Sequence, residues 1–233
     1  MLFVLCYQYM VFHDRADAGR RLAKLLEKYS GRRDVIVLGL PRGGVVTAHE
    51  VSQALQLPLD IIVPRKIGAP GNPEFAIGAV TEEGGIIVNK EAVVTYGIPR
   101  VYIEAEALKE RMEGARRLQE YRGGRPRLDL TGETVIIVDD GIATGLTMRA
   151  ATQSAWNKGA TKIIVATPVV AKDTLALLKH DADDVIHVSA PTMFGAVGAF
   201  YEKFEQVNDE EVKALLNNAN SKSQIRDVGQ RTR

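Results

Sequence analysis

The sequence has one cysteine, Cys6, in 233 residues. That excludes an internal disulfide framework and any metal site built from several thiolates, and it suits a reducing cytoplasm. Charge of one sign is also missing: 30 basic residues stand against 29 acidic ones, for a net charge of +1. A nucleic-acid partner held by bulk charge is therefore not expected, although a local basic patch is left open. No run approaches 18 apolar residues, so no membrane span is expected. The four histidines, His13, His49, His180 and His187, show no metal-ligand spacing, and "HEVSQ" is not HExxH. The one tryptophan, Trp156, falls on a predicted helix where packing accounts for it. What remains, 45% hydrophobic and 25% charged, is ample for a globular core.

The chain opens on an apolar stretch, "MLFVLCYQYMV", which ends at Phe12-His13-Asp14-Arg15. It lacks a basic n-region and a small-residue cleavage site. Two readings stand: a short edge strand or ordered extension over residues 1–11, or a natural start at Met10. Beyond it, short apolar runs alternate with amphipathic segments, the pattern of a mostly parallel sheet covered by helices. Strands are expected at "DVIVLGL" (34–40), "LDIIVPRK" (59–66), "VIIV" (135–138), "TKIIVATPVV" (161–170) and "DVIHVS" (184–189). Helices are expected over 17–29, 45–55, 100–121, 146–158 and 173–179. The Gly- and Pro-rich "IGAPGNPEFAIGAV" marks a mobile loop, and "GGIIVN" reads as a hairpin arm beside residues 76–80. After Leu216 the polar "NNANSKSQIRDVGQRTR" lacks apolar periodicity, and residues 218–233 are expected to be a disordered tail.

The chemistry concentrates in "VIIVDDGIATGLTMRA" (135–150). An apolar parallel strand delivers its last residues to the carboxyl edge of a sheet, where open α/β folds bind ligands. Asp139 and Asp140 then face a crevice, which relieves the cost of placing two carboxylates side by side. Gly141 and Gly145 permit close backbone approach, Thr144 and Thr147 add hydroxyls, and the helix start offers unpaired N–H groups to an anion. No GxxxxGK[ST] or GxGxxG motif is present. The combination of anion donors and acidic acceptors suits a sugar phosphate.

These thirteen residues, "VIIVDDGIATGLT", resemble the phosphoribosyl pyrophosphate (PRPP) signature of the type I phosphoribosyltransferases. The resemblance implies an α/β fold: a central parallel sheet flanked by helices, a flexible loop and a small C-terminal hood. It implies that Asp139 and Asp140 hold the ribose hydroxyls and touch Mg²⁺ indirectly. Gly141, Ile142, Ala143, Thr144, Gly145, Leu146 and Thr147 would take the 5′-phosphate. In "GLPRGG", Pro41, Arg42, Gly43 and Gly44 stand where the family binds pyrophosphate, although alone they are an ordinary turn sequence. Arg65 and Lys66, at the end of the second strand, are similar to the entrance of a catalytic loop in orotate and adenine phosphoribosyltransferases. That loop would be residues 67–79, and Glu74 within it is either a general acid/base or simply exposed. The activity implied is Mg²⁺-dependent transfer of the phosphoribosyl group from PRPP to a nitrogenous base; the alternative is a PRPP- or nucleotide-sensing regulator that transfers nothing.

Base selection in this family rests on a variable hood. Here the hood is expected over 184–217, with Phe194, Phe200, Tyr201 and Phe204 as base-stacking or core residues. Residues 90–130 read as a helical insertion within a single domain over 12–217. Its arginines, Arg111, Arg116, Arg117, Arg122, Arg125 and Arg127, are either solvated, dimer-facing or directed at an anionic substrate. A homodimer is expected, with no nucleic-acid or membrane partner.

Overall fold

The computed structural model describes residues 11–125 and 127–230, with side chains to residue 219. Its strands are β1 (Val35–Gly39), β2 (Leu59–Ile61), β3 (Arg65–Ala69), β4 (Asn72–Val80), β5 (Ile86–Val88), β6 (Thr134–Val138), β7 (Lys162–Val169) and β8 (Asp184–Ser189). The helices are α1 (Arg15–Leu25), α2 (Gly43–Leu55), α3 (Lys90–Thr95), α4 (Arg100–Arg122), α5 (Leu146–Asn157), α6 (Lys172–Asp181) and α7 (Asp209–Gln230). Cys6, Met10 and nearly all of the expected N-terminal extension lie outside the described residues. No helix among those described is long and apolar enough to cross a membrane.

The continuous apolar runs become a five-stranded, all-parallel sheet in the order β2-β1-β6-β7-β8. Strands of this kind are buried on both faces, which is why "TVIIV" of β6 has no polar alternation and every residue is buried. One face packs under α1, α2 and α7, where Leu22, Val37, Val45, Ile136 and Leu216 share a core. The other packs under α5 and α6 through Leu38, Ile137, Met148, Ile163 and Leu178. From β1 the chain runs outward to β2, and β6 later adds to the other side of β1. The order therefore reverses between β1 and β6, the position where open α/β sheets form a ligand crevice. Leu40 N–H donates to Val138 O at 3.0 Å, which ties the two strand ends together there.

A second, antiparallel sheet of β3, β4 and β5 departs from the sequence expectation. The expected strand over 59–66 is two strands in different sheets. Pro64 has no N–H to donate, and the chain turns at this point. Arg65 and Lys66 thus begin a strand of the small sheet and do not end one of the large sheet. The stretch expected as a mobile loop forms the β3–β4 hairpin, with Lys66 opposite Ala79 and a register shift around Gly68. The expected hairpin of 76–80 with 84–89 is present as β4–β5.

Ala76 and Ala79 set this small sheet against Leu146 and Ala150 of α5. Ile67, Ile77 and Val80 set it against Ala92, Ile103 and Ala107 of α3 and α4. Lys158 at the end of α5 reaches Glu82 and Glu83 at 3.0 and 2.6 Å, pinning the β4–β5 turn. The helix that carries the Gly/Thr loop therefore also carries the hairpin.

Two boundaries shift. Residues 184–189, expected in the hood, are the edge strand β8 of the central sheet, leaving 190–205 as the covering segment. The C-terminal segment continues as helix to Gln230, although fraying was expected after Leu216. Val212, Leu216 and Ala219 anchor its first turns in the core, and no proline interrupts the later turns.

Candidate active site

Two loops meet at the reversal of strand order. The turn after β1 carries Pro41 and Arg42 and leads into Gly43 and Gly44, the first residues of α2; the turn after β6 carries Asp139 and Asp140. They are in direct contact. A Cβ added at Gly43 would sit 2.1 Å from Asp140 Oδ2, and one at Gly44 would sit 2.7 Å from Asp139 Oδ1. A Cβ at either position would overlap the acid pair as it stands, so glycine is what allows this backbone to lie on it. The Pro41–Arg42 peptide is cis.

The two carboxylates are held differently. Asp140 accepts from Arg15 Nε at 2.6 Å, and both side chains are nearly buried. Arg15 in turn donates to Glu205 O at 2.7 Å and lies over the Phe204 ring, 3.8 Å from its centroid. Among the described residues Asp139 has no ion-pair partner of its own; its Oδ1 accepts the Asp140 N–H at 2.9 Å. Burial, reinforced by the charge of Asp140, raises the Asp139 carboxyl well above the ordinary carboxylate range. Tyr201 donates its hydroxyl to Asp140 O, and burial raises that phenol above its ordinary value.

Residues 141–147 complete the crevice floor. Gly141 lies under Val197 of the covering segment, with no room for a Cβ. Ile142 bridges to Val170 beside the end of β7, and Thr174 of α6 donates its hydroxyl to Ala143 O. Gly145 is the N-cap of α5 in the left-handed conformation. Arg149 N–H donates to Gly145 O at 2.9 Å, so the first-turn N–H groups of Leu146, Thr147 and Met148 are those that a helix start leaves to an external acceptor. Thr144 is exposed and Thr147 half-buried.

The remaining cations are engaged elsewhere. Arg42 stands 3.7 Å from Asp209 of α7, whose Oδ1 accepts the Tyr121 hydroxyl at 2.5 Å. Arg65 is committed to Glu110 of α4 at 2.8 Å. Lys66 pairs with Glu74 across the hairpin at 3.1 Å, with Glu74 almost fully exposed. Of the three anion-binding elements expected on one sheet edge, two are therefore on it, and the Arg65-Lys66 element belongs to the small sheet. The insertion's arginines are largely consumed locally: Arg116 and Arg117 by Glu113, and Arg122 by Asp60.

Sequence reasoning did not find Arg15, Thr174 or Val197, and it gave Tyr201 as a base-stacking or core aromatic, not as a partner of the acid pair. Arg15 reaches the acid pair from 125 residues away, and no local signal marks it. Beside Val197, an apolar cavity of about 450 Å³ is lined by Met193, Phe194, Gly195, Ala199 and Phe200. The crevice thus offers carboxylate acceptors for hydroxyls and amide and hydroxyl donors for an anion.

The paired acids and the glycines beside them thus sit at the strand reversal of a five-stranded parallel sheet within a phosphoribosyl transferase domain. The chain belongs to that family, whose model matches residues 11–205. It is similar to a Mycobacterium tuberculosis H37Rv protein named "Putative phosphoribosyl transferase Rv0571c", with 45% identity over 209 residues, covering 90% of this chain and 47% of that protein. The CDC 1551 / Oshkosh strain's counterpart, MT0597, gives the same figures. The chain spans about half the length of these curated relatives. It is also similar to the crystal structure of TT1426 from Thermus thermophilus, with 43% identity and a TM-score of 0.73, covering 89% of this chain and 98% of that one.

Proposed function

We propose that the chain is a phosphoribosyltransferase that transfers the 5-phosphoribosyl group of PRPP to a nitrogenous base and releases pyrophosphate. The observation that carries this is the contact of the Gly43-Gly44 turn with Asp139 and Asp140 at the strand reversal. It sets the candidate hydroxyl acceptors beside the candidate pyrophosphate loop, which supports a ligand that presents a diol and a pyrophosphate close together. In this reading Asp139 and Asp140 accept from the ribose diol. The first-turn amides of α5, with Thr144 and Thr147, take the 5′-phosphate. Arg42 and the Gly43 and Gly44 amides take the pyrophosphate.

As the C1′–O bond breaks, its electron pair leaves with pyrophosphate, and the lone pair of the base nitrogen forms the new bond to C1′. Lys66 supplies positive charge from the hairpin once released from Glu74, and Glu74 is the candidate acceptor for the proton that the base nitrogen sheds. Arg65, clamped to Glu110, holds the hairpin base.

The acid pair fits magnesium: it offers oxygen ligands only, and Mg²⁺ takes few protein ligands besides substrate oxygens and water. When bound there, the ion would neutralise charge on the pyrophosphate. The cavity beside Val197, with no charged lining residue, suits a flat apolar ring as acceptor. Pyrophosphate release from PRPP and Mg²⁺ against a panel of purine and pyrimidine bases tests the proposal; release with one of them supports it.

A second reading, PRPP or nucleotide sensing without transfer, is favoured by one observation: both hairpin cations are spent on carboxylates. Saturable PRPP binding with no release from any base would support it.

A further inference from the structure

Helix α4 has two apolar faces. Ile103, Ala107 and Gly114 are buried against the small sheet and its surroundings. On the other side Val101, Ala105, Leu108, Met112 and Ala115 follow one another at intervals of four, three, four and three residues, and all are exposed. Val101 is 73% exposed, Leu108 60% and Met112 67%. This spacing is that of a coiled-coil seam, in which a row of side chains stays turned toward a facing helix. It is also concentrated: of the thirteen large hydrophobics exposed among the described residues, Val94, Tyr96, Val101, Leu108 and Met112 fall within one short stretch. Apolar surface gathered in this way marks an interface.

We infer that this seam is the contact between two copies of the chain, with their α4 helices packed antiparallel about a twofold axis at Leu108. The sequence of the seam is what selects a second copy. A twofold axis there puts Leu108 against its own counterpart, Val101 of one copy against Ala115 of the other, and Ala105 against Met112. Each large side chain meets a small one or fills the centre, as a self-complementary interface requires. The flank agrees in charge: Glu104 and Arg111 occupy helix positions on one edge of the seam, and the axis brings Glu104 of one copy beside Arg111 of the other, whose guanidinium leaves its place over Gly84 to meet it.

The present partner of Glu104 is Arg100, an exposed pair at 2.6 Å that exchanges at little cost. Lys109, which the axis brings toward its own counterpart, is already neutralised by Glu106 at 2.9 Å. A shallow concavity beside Leu108 and Met112, bounded by Lys109, Glu113 and Arg116, leaves room for a facing side chain.

Sedimentation equilibrium of the full chain tests this, because a dimer has twice the 25.5 kDa of the monomer. The wild type is expected to sediment as a dimer and Leu108→Glu/Met112→Glu as a monomer with unchanged far-ultraviolet circular dichroism. Glu104→Arg should weaken association roughly tenfold, and adding Arg111→Glu should restore it. Leu108→Cys in a Cys6→Ser background should cross-link to a covalent dimer on mild oxidation, which keeps the test decisive if the glutamate variant fails to fold. A monomeric wild type, a dimer that survives both glutamates, or a dimer that does not cross-link at position 108 would overturn the inference.

Discussion

Arg15 donates from Nε to Asp140 Oδ2 at 2.6 Å while its guanidinium lies on the Phe204 ring. The first residue of α1 therefore locks the acid pair to the segment that covers the crevice. With Asp139 and Asp140 side by side, this guanidinium is the positive charge that makes the pair tolerable. Arg15→Met should lower stability by about 2–4 kcal/mol, because it leaves Asp140 with no counter-charge in a mostly buried place. Thermal unfolding should show a fall of the order of 10 °C. Adding Asp140→Asn should cost far less than the sum of the single changes, and additivity in that double-mutant cycle would argue against the coupling.

Asp139 should behave in the opposite way. Its carboxyl sits above the ordinary value of 3.8, so between 3.8 and the raised value the folded chain keeps a proton that the unfolded chain has released. Wild-type stability therefore falls as pH rises through that window and stays lower above it. Asp139→Asn removes the cost while its Oδ1 can still accept the Asp140 N–H. The variant should gain about 1 kcal/mol at neutral pH, or a few degrees in Tm, and the gain should vanish below pH 3.8. A variant less stable than wild type at pH 7 would mean that the ionised carboxylate is structural.

The glycine turn gives a steric prediction. A Cβ at Gly44 meets Asp139 and the Val138 carbonyl, both parts of β6 or its end, so Gly44→Ala should cost about 1–3 kcal/mol and displace the acid. A Cβ at Gly43 meets the side chains of Asp140 and Arg15, which can shift. Gly43→Ala should therefore unfold nearer the wild-type temperature yet lose PRPP affinity at least tenfold by calorimetry. Retained affinity in both variants would separate the turn from the site.

On the hairpin, stability and catalysis should divide between adjacent residues. Arg65 is half-buried and clamps β3 to Glu110 of α4, so Arg65→Ala should lower Tm by a few degrees. Among the described residues Lys66 pairs only with the exposed Glu74, so Lys66→Ala should stay within about 0.5 kcal/mol of wild type while pyrophosphate release falls. If Lys66→Ala leaves turnover unchanged, the hairpin cation has no part in the reaction.

The central sheet was legible because its inner strands, β6 and β7 above all, are buried on both faces and so appear as apolar runs; β6 and the acids behind it are contiguous in sequence. Residues 41–44 stood out in sequence as a glycine-rich stretch after a strand, but their contact with the acids did not, because the missing side chains of Gly43 and Gly44 carry no spacing signal. The hairpin was read as a loop because glycine and proline punctuate it. Its strand character comes from packing on α5 and α4 and not from local propensity. The hold of Arg15 and Tyr201 on Asp140 could not be read from sequence: they reach it across 125 and 61 residues, and only the folded sheet brings them together.

Calorimetric titration of PRPP, in the presence of Mg²⁺, into the wild-type chain and into Asp139→Asn/Asp140→Asn tests the central claim most directly. The account predicts saturable one-site binding to the wild type and its loss in a variant that still unfolds cooperatively. A wild type that does not bind PRPP, or a folded variant that binds it equally well, would contradict the assignment of this crevice.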